Sequence, residues 1–241
     1  MLREPAHVAV VGASGGIGRA LLDAFVARPN IACVHATAFS GSLSDVTDKR
    51  VRCSTLDVRD DSAVQHWLAG IDQLDWLINT VGMLHDDSSG PEKSIRHFNA
   101  AHFERSIAIN TLPSLLLAQH AEALLKRSDA GVFASVSARV GSIEDNRLGG
   151  WISYRASKSA LNMALKCLSI EWQRSAKGIR VLALHPGTTD TRLSAPFQAA
   201  VPSGKLFTPR KTAALLLDLI EDAHAHPSGR FIDYAGEAIA W

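Results

Sequence analysis

His7-Val8-Ala9-Val10-Val11-Gly12-Ala13-Ser14-Gly15-Gly16-Ile17-Gly18 is the stretch that decides the fold. Val8–Val11 is a run of four apolar residues, the mark of a strand buried on both faces beneath helices. Glycines at 12, 16 and 18 follow at once, and Gly16–Arg28 has the pattern of a helix. Strand, glycine turn and helix in that order form the first unit of a dinucleotide-binding sheet. The glycines make the turn, let main chain approach a pyrophosphate, and let helix and strand pack closely. The free N–H groups opening the helix suit a phosphate. Gly12, Ser14, Gly15, Gly16, Ile17 and Gly18 are therefore candidate cofactor contacts.

Outward from this unit, short apolar runs alternate with helical stretches. Strands are predicted at His7–Val11, Ile31–Thr37, Arg50–Thr55, Leu74–Thr80, Gly131–Ser137, Ile179–His185 and near Arg230–Ile232. Besides Gly16–Arg28, helices are predicted from about Asp60 to Ala69, Ala100 to Lys126, Ile152 to Ser175, and Pro209 to about Ala223. The fold class is α/β: one doubly wound Rossmann domain over residues 1–241, with a mainly parallel sheet of about seven strands. Three long loops, Gly82–Asn99, Ala138–Gly150 and Thr188–Thr208, follow strands and belong at the carboxyl edge of the sheet, where ligands bind.

Charge and composition narrow the function. The formal net charge is +1, with no basic stripe, so no nucleic-acid partner is expected. Cys33, Cys53 and Cys167 are odd in number and widely spaced, so neither a disulfide framework nor a metal site is expected from them. The first strand begins too early to leave room for a signal peptide, and no apolar run of about 18 residues suggests a membrane span. A cytoplasmic location is the expectation.

Tyr154-Arg155-Ala156-Ser157-Lys158 places a tyrosine and a lysine one helical turn apart on one face. Ser137 ends a strand whose carboxyl edge faces the same crevice. Reducing a carbonyl by hydride transfer needs a proton donor for the new alkoxide. A tyrosine serves when its pKa is drawn toward neutrality, and a nearby ammonium favours the phenolate. The serine hydroxyl can orient the substrate oxygen. Ser137, Tyr154 and Lys158 are thus candidate catalytic residues.

Taken together, these residues resemble the short-chain dehydrogenase/reductase family over essentially the whole chain. Gly12-x-x-x-Gly16-Ile17-Gly18 is similar to the family's cofactor turn, and Ser137, Tyr154 and Lys158 to its catalytic serine and Y-x-x-x-K pair. The resemblance implies further assignments. Asn110 would complete a catalytic tetrad through a bound water. Asn79, Val81 and Gly82 would skirt the cofactor, although Thr80 and Val81 replace the family's commoner residues there. Asp57 and Val58 would touch the adenine, and Pro186, Gly187, Thr188 and Thr191 would form the turn beside the nicotinamide. Tyr154 and Lys158 would also touch the cofactor. The gap of 17 residues from Ser137 to Tyr154 is long for the family. The insert Val140–Trp151 resembles the C-factor and Sniffer-like carbonyl reductase branch, as does Gly229–Gly236 with Trp241. Pro113, three residues past Asn110, implies either a kink or a carbonyl left free for the water relay.

Cofactor choice turns on the end of the second strand, Ala36-Thr37-Ala38-Phe39-Ser40. It has no acid to hold a ribose 2′-hydroxyl, and Thr37 and Ser40 leave space for a 2′-phosphate. No arginine follows the strand to grip that phosphate, and Arg19 is expected to face solvent. NADP(H) is expected in preference to NAD(H). Met83, Leu84, His85, Ile143, Leu148, Trp151, Leu193, Pro196 and Phe197 are candidate pocket residues, a mainly apolar set that suits a small hydrophobic carbonyl or alcohol. His85 is expected to be a solvated loop residue. The Pro- and Gly-containing late loop is expected to act as a lid. The resemblance implies a homodimer or homotetramer through the two long helices. An NAD(P)-binding signalling protein of C-factor type, with secondary or no catalysis, is the alternative reading.

Overall fold

The computed structural model describes residues 5–40, 43–86 and 90–241. Asp87, Ser88 and Ser89 of the first long loop lie outside them. Seven strands build one sheet: β1 (Ala6–Val11), β2 (Ile31–Ala38), β3 (Val51–Thr55), β4 (Trp76–Asn79), β5 (Val132–Val136), β6 (Arg180–His185) and β9 (Arg230–Asp233). Their order is β3-β2-β1-β4-β5-β6-β9, and every pairing is parallel. The doubly wound sheet of seven parallel strands agrees with the sequence reading. The chain winds outward from β1 to β3, then returns to place β4 on the other side of β1. That reversal opens a crevice at the carboxyl ends of β1 and β4.

Alternation within each strand decides which helix covers which face. Val8 and Val10 join the layer under α1 (Gly16–Val26) and α6 (Pro209–Glu221). Ala9 and Val11 join the opposite layer, under α2 (Asp61–Ala69), α4 (Leu112–Leu125) and α5 (Ile152–Ser175). Each layer has an aromatic pair at its centre. Phe25 lies 6.1 Å from Trp76 in one, and Phe133 meets Trp172 edge-on at 5.8 Å in the other.

The predicted helix Ala100–Lys126 is two helices, α3 (Ala100–Asn110) and α4, which meet at Thr111 (φ −115°, ψ −56°). Pro113 lies in the first turn of α4, where its missing N–H costs nothing. The helix therefore breaks just before Pro113 instead of running through it. Thr111 closes the joint by donating its hydroxyl to the Ser157 carbonyl at 2.8 Å. The late loop also has unpredicted structure: β7 (Thr188–Thr189) pairs with β8 (Leu206–Phe207), with a 3₁₀ turn at Ala195–Ala200 between them. Among the described residues, no helix is long and apolar enough to cross a membrane.

The junction of β1 with α1 is the tightest part of this frame. A Cβ on Gly18 would sit 2.3 Å from the Gly12 carbonyl oxygen and 2.6 Å from Thr80 Oγ1. Gly18→Ala is expected to destabilise the chain by about 1–3 kcal/mol through overpacking. Urea unfolding checks this, and an unchanged midpoint would show that the junction relaxes freely.

Candidate functional site

The glycine turn is held from three sides. Gly12 and Ala13 donate their N–H groups to the Thr37 carbonyl at 3.1 and 2.7 Å. Thr80 donates its hydroxyl to the Val11 carbonyl at 2.7 Å. Ser14 donates its hydroxyl to the Ser40 carbonyl at 2.8 Å. Gly12 adopts φ +83°, open to glycine at little cost. Thr191 roofs the turn, because a Cβ on Gly16 would come within 2.5 Å of its Cγ2.

This cradle fits a pyrophosphate. Gly15 caps α1 without a side-chain hydrogen bond, and the first turn of α1 carries no acid. The opening N–H groups and the positive end of the helix dipole thus have no side-chain competitor. A Cβ on Gly15 would meet only the Gly12 carbonyl, at 3.3 Å, leaving room for a close ligand.

Around the turn, the other expected contacts are placed as follows. Asn79 is buried, donating to Ser114 Oγ at 2.9 Å and accepting from the Val81 N–H at 3.0 Å. Val58 and Thr37 are buried too, so Thr37 supports the turn through its carbonyl rather than its hydroxyl. The Asp57 carboxylate is gripped by Arg59 at 2.8 and 2.6 Å, and this hydrogen bonding holds it below the usual carboxylate range. Arg59 also lies over the Phe39 ring, 5.2 Å from its centroid, so a cation does reach the end of β2 from a later loop. Arg19 is not simply solvated; it forms a two-bond pair with Asp45 at 3.0 and 2.7 Å. Gly187 (φ +73°) makes the turn after Pro186, packed against Phe207 and Tyr234.

Ser137, Tyr154, Lys158 and Asn110 come together at the carboxyl ends of β4 and β5. Tyr154 is buried in a small apolar cluster with Leu84 and Ala138, against Val140, Trp151, Leu193 and Phe197. Burial alone pushes its phenol well up, so it stays protonated. Lys158 Nζ lies 5.9 Å from the Tyr154 ring centroid and donates to the Val136 carbonyl at 3.0 Å. Burial draws this lysine down to about 8. The expected lowering of the tyrosine by its lysine is therefore absent from the protein alone, because burial outweighs an ammonium this far away. Gly82 is where the group converges: a Cβ there would touch Lys158 Nζ at 3.5 Å and Asn110 Oδ1 at 3.6 Å.

Asn110 uses its whole side chain for positioning. Oδ1 accepts from the Met83 N–H at 2.7 Å, while Nδ2 donates to the Met83 carbonyl at 2.8 Å and to Ser157 Oγ at 2.9 Å. Any chemical part for Asn110 falls to its main-chain carbonyl. Ser137 donates its hydroxyl to Asn162 Oδ1 at 2.6 Å. Asn162 is buried, with Nδ2 lacking a partner. Sequence reasoning passed over Asn162, although positions 154, 158 and 162 repeat every four residues along one face of α5.

Glu92 was missed too. Its buried carboxylate accepts the Ser153 hydroxyl and, at 3.2 Å, the Ser153 N–H, so it caps α5 one residue before Tyr154. The helix enters through Gly149 (φ +63°), Gly150 (φ +65°) and Trp151 (φ +51°). Three successive left-handed residues favour glycine at the first two places, and the Glu92 main-chain carbonyl accepts the N–H of the strained tryptophan at the third, at 2.5 Å. Trp151 then packs at a tilt of 52° against Phe197, with ring centroids 4.9 Å apart. His85 hydrogen-bonds the Leu193 carbonyl at 3.2 Å, linking the loop after β4 to the late loop instead of standing in solvent. Ile143 and Leu148 are 76% and 91% exposed, outside the apolar cluster that their sequence suggested they would join.

Residues 6–201 match the family model described as short chain dehydrogenase. The chain belongs to the short-chain dehydrogenase family. It is 31% identical over 168 residues to the C-signal of Myxococcus xanthus, covering 70% of this chain and 93% of that one. It is 36% identical over 137 residues to 1-hydroxy-2-glutathionyl-2-methyl-3-butene dehydrogenase of Rhodococcus sp. (strain AD45), covering 57% of this chain but only 58% of that relative. In structure it is similar to the carbonyl reductase Sniffer of D. melanogaster (TM-score 0.86, 22% identity, 99% of this chain and 100% of that one). It is also similar to NADPH-bound carbonyl reductase from chicken fatty liver (TM-score 0.83, 25% identity, 100% of this chain and 96% of that one). This short-chain dehydrogenase is an oxidoreductase, and both the family and the branch suggested by the insert agree with the sequence reading.

The Glu92 cap has a pH signature. Burial works to raise its carboxyl, but the hydrogen bonds from Ser153 outweigh that and hold it below its usual range. A folded value below the free value of about 4.3 means that Glu92 stabilises the fold above that pH. The contribution is lost as pH falls through the folded value. Glu92→Gln is therefore expected to weaken the chain most at neutral pH. Urea midpoints of both chains should converge as the pH drops below about 4, and a gap that stays constant would exclude the charged cap.

Proposed function

We propose that this short-chain dehydrogenase transfers hydride between a nicotinamide dinucleotide and a small hydrophobic carbonyl or alcohol, with Tyr154 as general acid and base. The observation that carries the reading is a protonated, buried phenol facing an apolar cluster, with the Lys158 ammonium and the Gly82 turn beside it. Gly12, Ser14, Gly15, Gly16, Ile17 and Gly18 would cradle the pyrophosphate. Asp57 and Val58 would lie at the adenine, Asn79, Val81 and Gly82 along the dinucleotide, and Pro186, Gly187, Thr188 and Thr191 at the nicotinamide. A bound nicotinamide supplies or accepts the hydride. In reduction, Tyr154 gives its proton to the oxygen as the carbonyl carbon gains hydride, and in oxidation it takes the proton back. Lys158, with a pKa near 8, steadies the resulting phenolate. A water donating to the Asn110 main-chain carbonyl would carry the replacement proton toward Tyr154 by way of Lys158.

Ser137 has a second requirement. While its proton goes to Asn162, it can only accept from the pocket. Turning the Asn162 amide over would let Nδ2 donate to Ser137 and free the serine proton for the substrate oxygen. Asn162 is thus a positioning residue for Ser137.

NADP(H) is favoured over NAD(H). Phe39 and Ser40 offer no acid after β2, Arg59 reaches over Phe39, and the chicken carbonyl reductase is an NADPH complex. Kinetics with NADPH and NADH are expected to give the higher kcat/KM with NADPH, and a strong preference for NADH would overturn this. Tyr154→Phe is expected to lower turnover of a small aldehyde or ketone by about 10²–10⁴-fold with cofactor affinity kept. Full activity in that variant would sink the assignment. Likeness to the C-signal favours a second reading, a cofactor-binding signalling protein, which a wild-type chain that binds NADPH yet turns over no aldehyde, ketone or quinone would support.

Assembly as a homodimer or homotetramer is proposed through α4 and α5. Leu115, Met163 and Ile170 on these helices are 44%, 64% and 47% exposed, more apolar surface than a lone helix pair usually shows to water. Replacing Met163 and Ile170 with aspartate is expected to yield monomers in sedimentation velocity, and a wild-type chain that already runs as a monomer would rule the assembly out.

A further inference from the structure

The sheet face that packs against α2 has a polar corner on β1 and β2, toward the amino ends of the strands and away from the glycine turn. His7 and Cys33 are paired neighbours in the sheet, and His35 follows Cys33 by two residues, so all three project from the same face. They line one side of a cavity of about 540 Å³ that also has Arg52, His66 and Asp72 on its walls. Apolar residues occupy the equivalent places further along β1, at Ala9 and Val11. Imidazoles and a thiol in such a place need a reason.

We propose that His7, Cys33 and His35 form a binding site for a borderline-soft transition-metal ion, with Zn²⁺ the fitting choice. One ligand atom from each residue lies within 4.8 Å of the other two. Cys33 Sγ is 3.5 Å from His35 Nε2. A tetrahedral zinc with bonds of ~2.3 Å to sulfur and ~2.0–2.1 Å to nitrogen separates those atoms by about 3.6 Å. One edge of the site is therefore already at its bonded spacing, and His7 needs to close in by at most about 1.5 Å, within reach of a side-chain torsion change. Apart from that Cys33–His35 contact, no side-chain hydrogen bond restrains the three among the described residues. One sulfur and two imidazole nitrogens suit zinc, not calcium or magnesium. The fourth position opens into the cavity, toward water or His66.

The electrostatics agree. Burial, with His7 and Arg52 nearby, draws His35 below its ordinary value, so its ring is neutral and ready to ligate at neutral pH. Burial pushes the Cys33 thiol up against the opposing pull of Arg52, so the thiol gives up a proton when metal binds. Asp72 on the cavity wall offsets the positive Arg52. Cysteine spacing could not reveal the site, because its ligands are a histidine from one strand and an i, i+2 pair from the next.

The test uses the untagged chain with the exposed Cys53 and Cys167 changed to serine, stripped with a chelator and titrated with Co²⁺ and then Zn²⁺. The expected result is one Co²⁺ per chain with sulfur-to-cobalt charge-transfer absorption, its displacement by Zn²⁺, release of about one proton per ion, and a higher Tm with Zn²⁺. Cys33→Ser should abolish the absorption band, and His35→Ala and His7→Gln should each weaken binding at least about tenfold. Reductase turnover should survive in all three, which reports an intact fold. No band in the parent chain, a band that persists in Cys33→Ser, or binding indifferent to both histidine changes would overturn the proposal. Using both histidine variants keeps the test decisive should one of them fail to fold.

Discussion

Everything at the carboxyl edge depends on a close approach that only missing Cβ atoms permit. Gly18 leaves room for the Gly12 carbonyl, and both glycines leave room for the Thr80 hydroxyl. Through that hydroxyl the end of β4 is stitched to the end of β1, the two strands between which the winding of the sheet reverses. Helix α1 can then point bare N–H groups into the crevice, and Thr191 can close over Gly16. The family commonly has another residue at position 80. Here the threonine makes two contacts with main chain, at 2.7 and 3.3 Å, and so reinforces the turn it borders.

A second frame locates Tyr154. Asn110 ties α3 to the Met83 main chain and to Ser157 on α5, and Ser157 donates to the Tyr154 carbonyl at 2.8 Å. Glu92 holds the start of the same helix. The tyrosine is fixed by groups before and after it, and its ring faces an apolar cluster with the Lys158 ammonium at 5.9 Å. Burial then does two opposite things on one helix face: it keeps the phenol protonated and makes the neighbouring ammonium easier to discharge.

Much of this was legible in the sequence because local rules sufficed. The alternation of short β-prone runs with helical stretches located all seven strands of the sheet to within two residues at either end, and α5 begins and ends where its pattern does. The break at Thr111 was hidden by the Leu- and Ala-rich run on both sides of it, where one proline meant either a kink or a new start. Glu92 and Asn162 were hidden for a different reason. Each matters through a partner 61 or 25 positions away, and a loop glutamate or a helix asparagine has no signature of that. Arg59 likewise reaches the end of β2 from a loop that follows β3. Ile143 and Leu148 show the opposite failure, since apolar identity suggested a wall and the left-handed turn of the insert sends them outward.

Glu92 comes from the loop after β4, and Trp151 and Ser153 from the entry to α5, yet one residue joins them: its carboxylate holds Ser153 and its main-chain carbonyl accepts the Trp151 N–H at 2.5 Å. Their energies cannot then be independent, because losing the carboxylate uncaps the helix end and loosens the loop whose main-chain carbonyl holds the strained tryptophan. Position 153 leans on the glutamate side chain and position 151 on the course of its main chain, so a serine transplanted without its glutamate, or a tryptophan without the loop, brings the cost of the motif and little of its benefit. Exchanging the long Ser137–Tyr154 insert between relatives is for that reason a two-segment operation, with the loop after β4 travelling alongside.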